Sequence, residues 1–225
     1  MLRSAARSQQ LVPDAVLVGG SAPALYAGHR DSFDYDHVVA DLRDRFDVVL
    51  EAIESEGDWV TNRVVPGELI LGQLGDIEAG VRQMIRRRPL ETVDVEIEGA
   101  GILRVPTAEE ALRIKAFLIV RRNQTRDYLD TAALAHRYGL HGSARVLADI
   151  DAYYGDQHVD TAPEDLGVAS QLVRQLADPR PADPSVTKEL DSYRNLSGEW
   201  TDWKHVREAC ADLAEAILDT GGETT

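Results

Sequence analysis

The chain has 225 residues, of which 44% are hydrophobic and 28% charged, and its formal charge is -15 at pH 7. This composition excludes a disordered chain and predicts one large domain or two small ones. The single cysteine, Cys210, excludes an internal disulfide and a cysteine-rich zinc site. No apolar run approaches the roughly 20 residues that cross a bilayer, and the first residues lack a signal-peptide pattern, so we expect a soluble cytoplasmic protein.

The first part of the chain alternates short apolar runs with turns. "AVLVGG" (15–20) predicts a strand that ends in a glycine turn, "SAPALYAGH" a short helix, and "FDYDHVVA" a strand of alternating polarity. The next segment, "DLRDRFDVVLEAIESEG", predicts a helix with Asp41 as its N-cap and Gly57 as its stop.

Turn residues then separate a series of apolar runs. Pro66-Gly67 lies between "DWVTNRVV" and "ELILGQL", Gly75-Asp76 precedes "IEAGVRQMI", and "ETVDVEIEG" and "GILRV" follow. Apolar runs joined by such turns predict strands in hairpin connection. We therefore predict an α/β (α+β) fold, with a mixed sheet and flanking helices over residues 1–105.

From Pro106 onward the sequence pattern is helical. "TAEEALRIKAFLIVRR" begins with Thr107 and has Glu110 three residues later, which is the pattern of a capping box. "TRDYLDTAALAHRYG" repeats the helical spacing and stops at Gly139. Further helices are predicted over 142–154, 164–177, 185–195 and 199–219. The sequence thus predicts a second, helical domain over residues 106–225.

The charge is distributed unevenly along the chain. Residues 82–126 carry a net charge of +4, whereas the whole chain carries -15. The basic residues are Arg82, Arg86, Arg87, Arg88, Arg104, Arg113, Lys115, Arg121, Arg122 and Arg126. A local cationic face on an acidic protein can attract a polyanion. Charge runs are also commonly no more than solvated surface, so composition alone leaves both interpretations open.

Two aspartates, Asp34 and Asp36, follow the glycine turn at Gly19-Gly20. Residues i and i+2 of a strand project from the same face, and two neighbouring carboxylates repel each other unless a cation lies between them. Mg²⁺ prefers carboxylate, phosphate and water oxygens. The free N–H groups of the turn and the Ser21 hydroxyl are suited to phosphate oxygens. The pattern indicates a nucleotide and metal site, although an isolated pair of this kind can also be plain surface.

Two segments of the chain resemble a known family. Gly19-Gly20-Ser21 with "ALYAGHRDSFDYD" resembles the first motif of the polymerase-beta-like nucleotidyltransferase superfamily, and especially the AbiEii/AbiGii toxin family that includes the MenT-like toxins. "VPTAEEALRIKAFLIVRRNQTRDYLDTAAL" (105–134) is similar to the family's later motif, a lysine followed by arginines and an Arg-Asp-x-x-Asp helix. The resemblance covers roughly residues 15 to 135. It implies a nucleotidyltransferase-type sheet followed by a helical domain that completes the active site.

The resemblance implies a role for individual residues. Asp34 and Asp36 would bind Mg²⁺, Lys115 would neutralise charge on the triphosphate, and Asp130 would complete the acidic site. The implied nucleotide-binding residues are Gly19, Gly20, Ser21, Ser32 and Lys115. The arginines suited to an acceptor RNA are Arg82, Arg86, Arg87, Arg88, Arg122 and Arg126. Lys115 could instead be the edge of a core helix, and His29 is interpreted as support for the loop.

Two matters stay open at this stage. Superfamily members commonly carry a third metal carboxylate on a neighbouring strand, and Glu78 and Asp94 are the candidates for it. The acceptor is also undetermined. The resemblance implies a toxin that transfers a nucleotide from an NTP to RNA, with transfer RNA as the first acceptor to test and an antitoxin as partner. The alternatives are a transferase for a small molecule of the aminoglycoside type and a non-catalytic domain that binds a partner protein.

Overall fold

A computed structural model describes residues 1–157, 166–190, 193 and 195–222. The chain forms two compact units. The first, the sheet unit, comprises Met1–Ala22 and Ser32–Thr107. The second, the helical unit, comprises Pro23–Asp31 and Ala108–Thr225. A short segment of the first part of the sequence therefore belongs to the helical unit.

The sheet unit is built on a five-stranded sheet. Its strands are β1 (Val16–Val18), β2 (Tyr35–Val39), β3 (Trp59–Val65), β4 (Leu69–Leu74) and β5 (Ile77–Gln83), in the order β1-β2-β5-β4-β3. β2 and β5 are parallel and the other neighbours are antiparallel. β6 (Thr92–Ile97) and β7 (Gly101–Pro106) form a separate antiparallel hairpin. The predicted mixed sheet is confirmed.

Helices accompany the sheet. They are α1 (Leu2–Leu11), α2 (Ser21–Ala27), which begins in the sheet unit, and α3 (Phe46–Glu54). The apolar core of this unit includes Val39 of β2, Val49 of α3 and Ile70 of β4. The predicted ends of α3 were wrong. Asp41 is not its N-cap, because residues 41–45 form a turn in which the Asp41 carbonyl accepts the N–H groups of Asp44 and Arg45. The helix also ends before Gly57, with Ser55 as its C-cap.

The helical unit carries the remaining elements. They are α4 (Ala108–Arg122), α5 (Thr125–Tyr138), α6 (Leu140–Ala148), α7 (Asp151–Tyr154), α8 (Val168–Ala177), α9 (Pro184–Lys188), a 3-10 turn (Gly198–Thr201) and α10 (Trp203–Gly222). Phe117 and Tyr154 stack in the core of this unit with ring centroids 4.1 Å apart. Within the described ranges, no helix combines the length and apolarity that a membrane span requires.

Some of the later helix boundaries were predicted correctly and others were not. α5 ends before Gly139, as predicted, and that glycine has a φ of 94°. The helix predicted over 142–154 is two helices. In the segment predicted as a helix over 185–195, α9 ends at Lys188, and residues 191, 192 and 194 lie outside the described part of the chain. The helix predicted over 164–177 begins at Val168, and residues 158–165 lie outside the described part of the chain.

The buried histidine of β2 should make the stability of the sheet unit sensitive to acid. His37 is 1% exposed and lies edge-on to Tyr35, with ring centroids 5.7 Å apart. Burial lowers the pKa of His37 to about 4 from its ordinary 6.5. Between these two values the unfolded chain binds more protons, so the free energy of unfolding falls as the pH falls, by about 3 kcal/mol in total.

We expect the variant His37→Phe to lose less stability than the native chain when the pH is lowered from 7 to 4.5. The measurement is the urea midpoint of the full chain at both pH values. The matched control is His141→Gln, because His141 is exposed and should leave the pH dependence unchanged. Equal acid sensitivity of the native and His37→Phe chains would show that His37 does not cause it.

Candidate active site

The glycine turn after β1 is tied to the segment that carries Asp34. Gly19 has a φ of +71°, in the left-handed region that favours glycine, and Gly20 beside it is half-buried. Ser21 is 1% exposed, and its hydroxyl lies 2.7 Å from the main-chain oxygen of Asp34, to which it donates. In this structure the Ser21 hydroxyl therefore holds the turn against the aspartate segment.

Asp34 and Asp36 lie on one side of the chain at the start of β2. Asp36 is the second residue of the strand, and Asp34 directly precedes its first residue, Tyr35. Tyr35 and His37 point into the core, so alternation puts the two half-buried aspartates on the opposite face. The Ser32 hydroxyl donates to Asp34 Oδ1 over 2.9 Å. This is the arrangement that the alternating sequence predicts.

The carboxylate of Asp36 lies between two glycines. A Cβ atom at Gly80, on β5, would be 2.4 Å from Asp36 Oδ1, and one at Gly19 would be 3.2 Å from Asp36 Oδ2. Any larger residue at Gly80 would therefore displace the carboxylate. The sequence analysis identified Gly19 but missed Gly80, although a glycine inside a strand often marks a close approach of this kind.

The donor set suits a hard cation that is bound together with phosphates. Asp34 and Asp36 offer carboxylate oxygens, and Mg²⁺ typically takes one or two carboxylates and completes its shell with water and phosphate oxygens. Among the described residues, no three histidine, cysteine or acidic side chains converge as a metal site. Arg82 Nε lies 3.2 Å from Asp36 Oδ1, so a cationic group already pairs with this carboxylate.

The two candidates for a third metal carboxylate occupy different sheets. The parallel register pairs Asp36 with Gly80, which puts Glu78, two residues earlier on β5, on the same face. Glu78 is exposed. Asp94 is on β6, in the separate hairpin, where its carboxylate pairs with Arg104 at 3.0 Å. Glu78 is thus the candidate on the strand next to Asp34 and Asp36.

The helical unit contains a buried group of polar and charged side chains, which we call the Asp130 cluster: Asp130, Lys115, His29 and Arg30. Asp130 of α5 is 0% exposed and Lys115 of α4 is 1% exposed. Lys115 Nζ lies 2.8 Å from Asp130 Oδ2. Arg30 donates from Nε to Oδ1 over 2.8 Å and from Nη2 to Oδ2 over 3.0 Å, and His29 Nε2 lies 2.8 Å from Oδ1.

These partners determine the charge of Asp130. Burial alone would raise the pKa of its carboxyl group, but Lys115 and Arg30, together with the hydrogen bond from His29, outweigh burial and hold the pKa well below its usual value. Asp130 therefore stays ionised at neutral pH. The sequence analysis identified Lys115 and Asp130 but missed Arg30, which lies in the quoted "GHR" segment four residues before Asp34.

The arginines predicted to bind an acceptor have different surroundings. Arg82, Arg87 and Arg88 are exposed. Arg86 is 3% exposed and donates to the carbonyl oxygens of Arg88 and Pro89, each over 2.9 Å, so in this structure its guanidinium faces the protein main chain and not solvent.

Arg122 and Arg126, the two predicted acceptor-binding arginines in the helical unit, also contact protein side chains. Arg122 forms a bidentate pair with buried Asp127, with both N–O distances 2.7 Å. Arg122 is the last residue of α4 and Asp127 lies in the first turn of α5, so this pair joins two consecutive helices. Arg126 donates to Gln124 over 3.1 Å.

Comparison with known proteins gives two kinds of similarity. No protein-family model matches the chain. The chain is 31% identical, over 97% of its length, to the mycolic acid-containing lipids exporter MmpL11 of Mycolicibacterium smegmatis and to the heme uptake protein MmpL11 of Mycobacterium tuberculosis. It spans about a fifth of the length of these curated relatives, 21% and 22% respectively.

Two similar solved structures are described as nucleotidyltransferases. The nucleotidyltransferase toxin MenT4 of M. tuberculosis matches 97% of this chain and 82% of its own, at 18% identity and a TM-score of 0.57. A proposed nucleotidyltransferase of H. pylori matches 100% of this chain and 95% of its own, at 17% identity and a TM-score of 0.50. The chain therefore has a nucleotidyltransferase-type fold.

The glycine beside Asp36 supplies a direct test of the site geometry. We expect Gly80→Ala to cost about 1–3 kcal/mol of stability, because the new methyl group overlaps Asp36 Oδ1 and the Leu71 side chain. It should also weaken binding of Mn²⁺, used as a spectroscopic substitute for Mg²⁺, because the carboxylate has to move. The control is Gly57→Ala, where a Cβ meets nothing within 4 Å. Unchanged Mn²⁺ affinity in Gly80→Ala would contradict a metal role for Asp36.

Proposed function

We propose that the protein is a metal-dependent nucleotidyltransferase that transfers a nucleotide from an NTP to an RNA acceptor. The observation that carries the proposal is the pair Asp34 and Asp36, on one face beside a glycine turn, with glycines on both sides of the Asp36 carboxylate. A carboxylate pair with such small neighbours suits a cation that also binds a triphosphate.

Each residue would have a specific part in the reaction. Asp34 and Asp36 would hold Mg²⁺, and phosphate and water oxygens would complete its coordination shell. Bound Mg²⁺ would polarise the triphosphate and lower the pKa of the attacking hydroxyl. The N–H groups of the Gly19-Gly20 turn would contact phosphate oxygens, and Lys115 would supply positive charge to them.

The reaction would be an in-line displacement at the α-phosphorus. The acceptor hydroxyl oxygen forms a bond to this phosphorus, the bond to the β-phosphate oxygen breaks, and pyrophosphate leaves. The hydroxyl proton passes to solvent or to a carboxylate of the site. The protein contributes mainly positioning and charge neutralisation.

We propose an RNA acceptor, with the 3′ end of transfer RNA as the first to test. Exposed Arg82, Arg87 and Arg88 support this acceptor, because arginines on a surface contact backbone phosphates. The fold shared with the toxin MenT4 supports a toxin role, with an antitoxin as partner. The net charge of -15 favours the alternative acceptor, a cationic small molecule of the aminoglycoside type.

A second candidate function follows from the similarity to MmpL11. The alignment covers 97% of this chain but about a fifth of each curated relative, and these relatives are described as transport proteins. A domain of this type would then serve with a transporter of lipid or heme, by binding a partner protein. Such a role would not require the Asp34 and Asp36 carboxylates, so substitution of either residue distinguishes it from catalysis.

We expect the native chain, with Mg²⁺ and one of the four α-labelled NTPs, to label transfer-RNA-sized species in total bacterial RNA. Asp34→Asn and Asp36→Asn should reduce the rate by about 100-fold or more, since a metal ligand is worth several kcal/mol in the transition state. The control is Asp76→Asn, in the exposed turn before β5, which should keep the native rate.

Absence of label on RNA with a folded native chain would reject the RNA acceptor. Label on RNA that survives both Asn variants would reject the assigned site.

A further inference from the structure

The observed contact of Lys115 with Asp130 conflicts with the proposed role of Lys115 at the triphosphate. Its side chain is 1% exposed, and its ammonium lies 2.8 Å from Asp130 Oδ2 and 3.6 Å from Asp127 Oδ1. An ammonium in this position has to give up a carboxylate before it can contact a phosphate. Removal of one partner from a buried carboxylate is normally costly, because the remaining charge is left without compensation.

The surroundings of the two carboxylates reduce this cost. Asp130 has an arginine of its own, since Arg30 donates to both of its oxygens over 2.8 and 3.0 Å, and His29 contacts Oδ1 at 2.8 Å. Asp127 also has its own arginine, Arg122, at 2.7 Å to each oxygen. Lys115 is therefore the shared partner of two carboxylates that each keep a bidentate arginine without it.

The segment that supplies Arg30 and His29 is held by further contacts within the helical unit. The His29 carbonyl accepts the N–H of Ser197 over 3.0 Å. The Arg30 guanidinium lies over the Tyr193 ring, 5.8 Å from its centroid, and the Asp31 carboxylate accepts a hydrogen bond from Asn195. Because these contacts do not involve Lys115, His29 and Arg30 can stay in place when its ammonium moves.

We propose that Arg30, assisted by His29, is a positioning residue that keeps Asp130 paired while the Lys115 ammonium transfers its contact from Asp130 to a triphosphate. The proposal rests on the proposed function for its biological meaning. Without Arg30, Lys115 would be the main cation left for Asp130 and would remain with it. The expected consequence is a weaker affinity for triphosphate, although Arg30 itself need not touch the ligand.

The test is a double-mutant cycle on the full chain, with inorganic triphosphate as the probe and isothermal titration calorimetry as the measurement. Arg30→Gln should weaken triphosphate binding by at least about tenfold, because Lys115 then has to stay with Asp130. Asp130→Asn should bind triphosphate at least as tightly as the native chain, because its neutral amide no longer holds Lys115. In the double variant Arg30→Gln should have no further effect.

Controls separate this role from general support of the fold. Arg113→Gln removes another buried arginine of the helical unit, paired with Glu110 at 3.2 Å, and should leave triphosphate affinity unchanged. If Arg30→Gln does not fold, Arg30→Lys keeps the charge but loses the bidentate contact, and an affinity loss of about threefold or more is expected, again only when Asp130 is present. Thermal unfolding of each variant confirms that it is folded.

Three results would overturn the proposal: native affinity in the folded arginine variant, an equal loss in the Asp130→Asn background, and no binding of triphosphate by the native chain. Failure of the proposed function is a different result, in which the native chain binds triphosphate and follows the expected cycle but transfers no nucleotide to any acceptor.

Discussion

The helical unit contains a carboxylate with no access to solvent, and its negative charge has to be compensated by neighbouring side chains. Asp130 is 0% exposed, and its two oxygens accept from Lys115, Arg30 and His29. These partners come from α4 and from the short segment before Ser32, so one buried charge fixes side chains that are distant in sequence. A buried charge of this kind is a poor source of net stability, because desolvation offsets most of the attraction. Its use is more easily understood as positioning.

The sheet unit keeps the Asp36 carboxylate partly accessible, as the proposed cation site requires. The Asp36 carboxylate lies between Gly19 and Gly80 and keeps 23% of its side chain exposed. Arg82, at 3.2 Å, supplies a positive charge that lowers the repulsion between neighbouring aspartates. Ser21 and Ser32 hold the Asp34 segment through its carbonyl and carboxylate oxygens. The nucleotidyltransferase-type fold and these contacts together support the proposed chemistry.

The sequence predicts local features of this protein better than contacts between distant residues. Strand alternation predicts that Asp34 and Asp36 share a face, and helical spacing with Gly139 predicts the end of α5. Gly80 and Arg30 were missed, because their importance arises from Asp36, 44 residues earlier, and Asp130, 100 residues later. The start of α3 was missed for a different, local reason, since Asp41 has the residue type of an N-cap but its backbone forms a turn.

The proposed reaction cleaves the bond between the α- and β-phosphates, and the fate of a radiolabel reports where cleavage occurs. The native chain should be incubated with Mg²⁺, total RNA and the same NTP labelled at either the α- or the γ-phosphate. The proposed reaction should put the α-label on the acceptor and release the γ-label as pyrophosphate. Transfer of the γ-label to the acceptor, or release of inorganic phosphate in place of pyrophosphate, would contradict it.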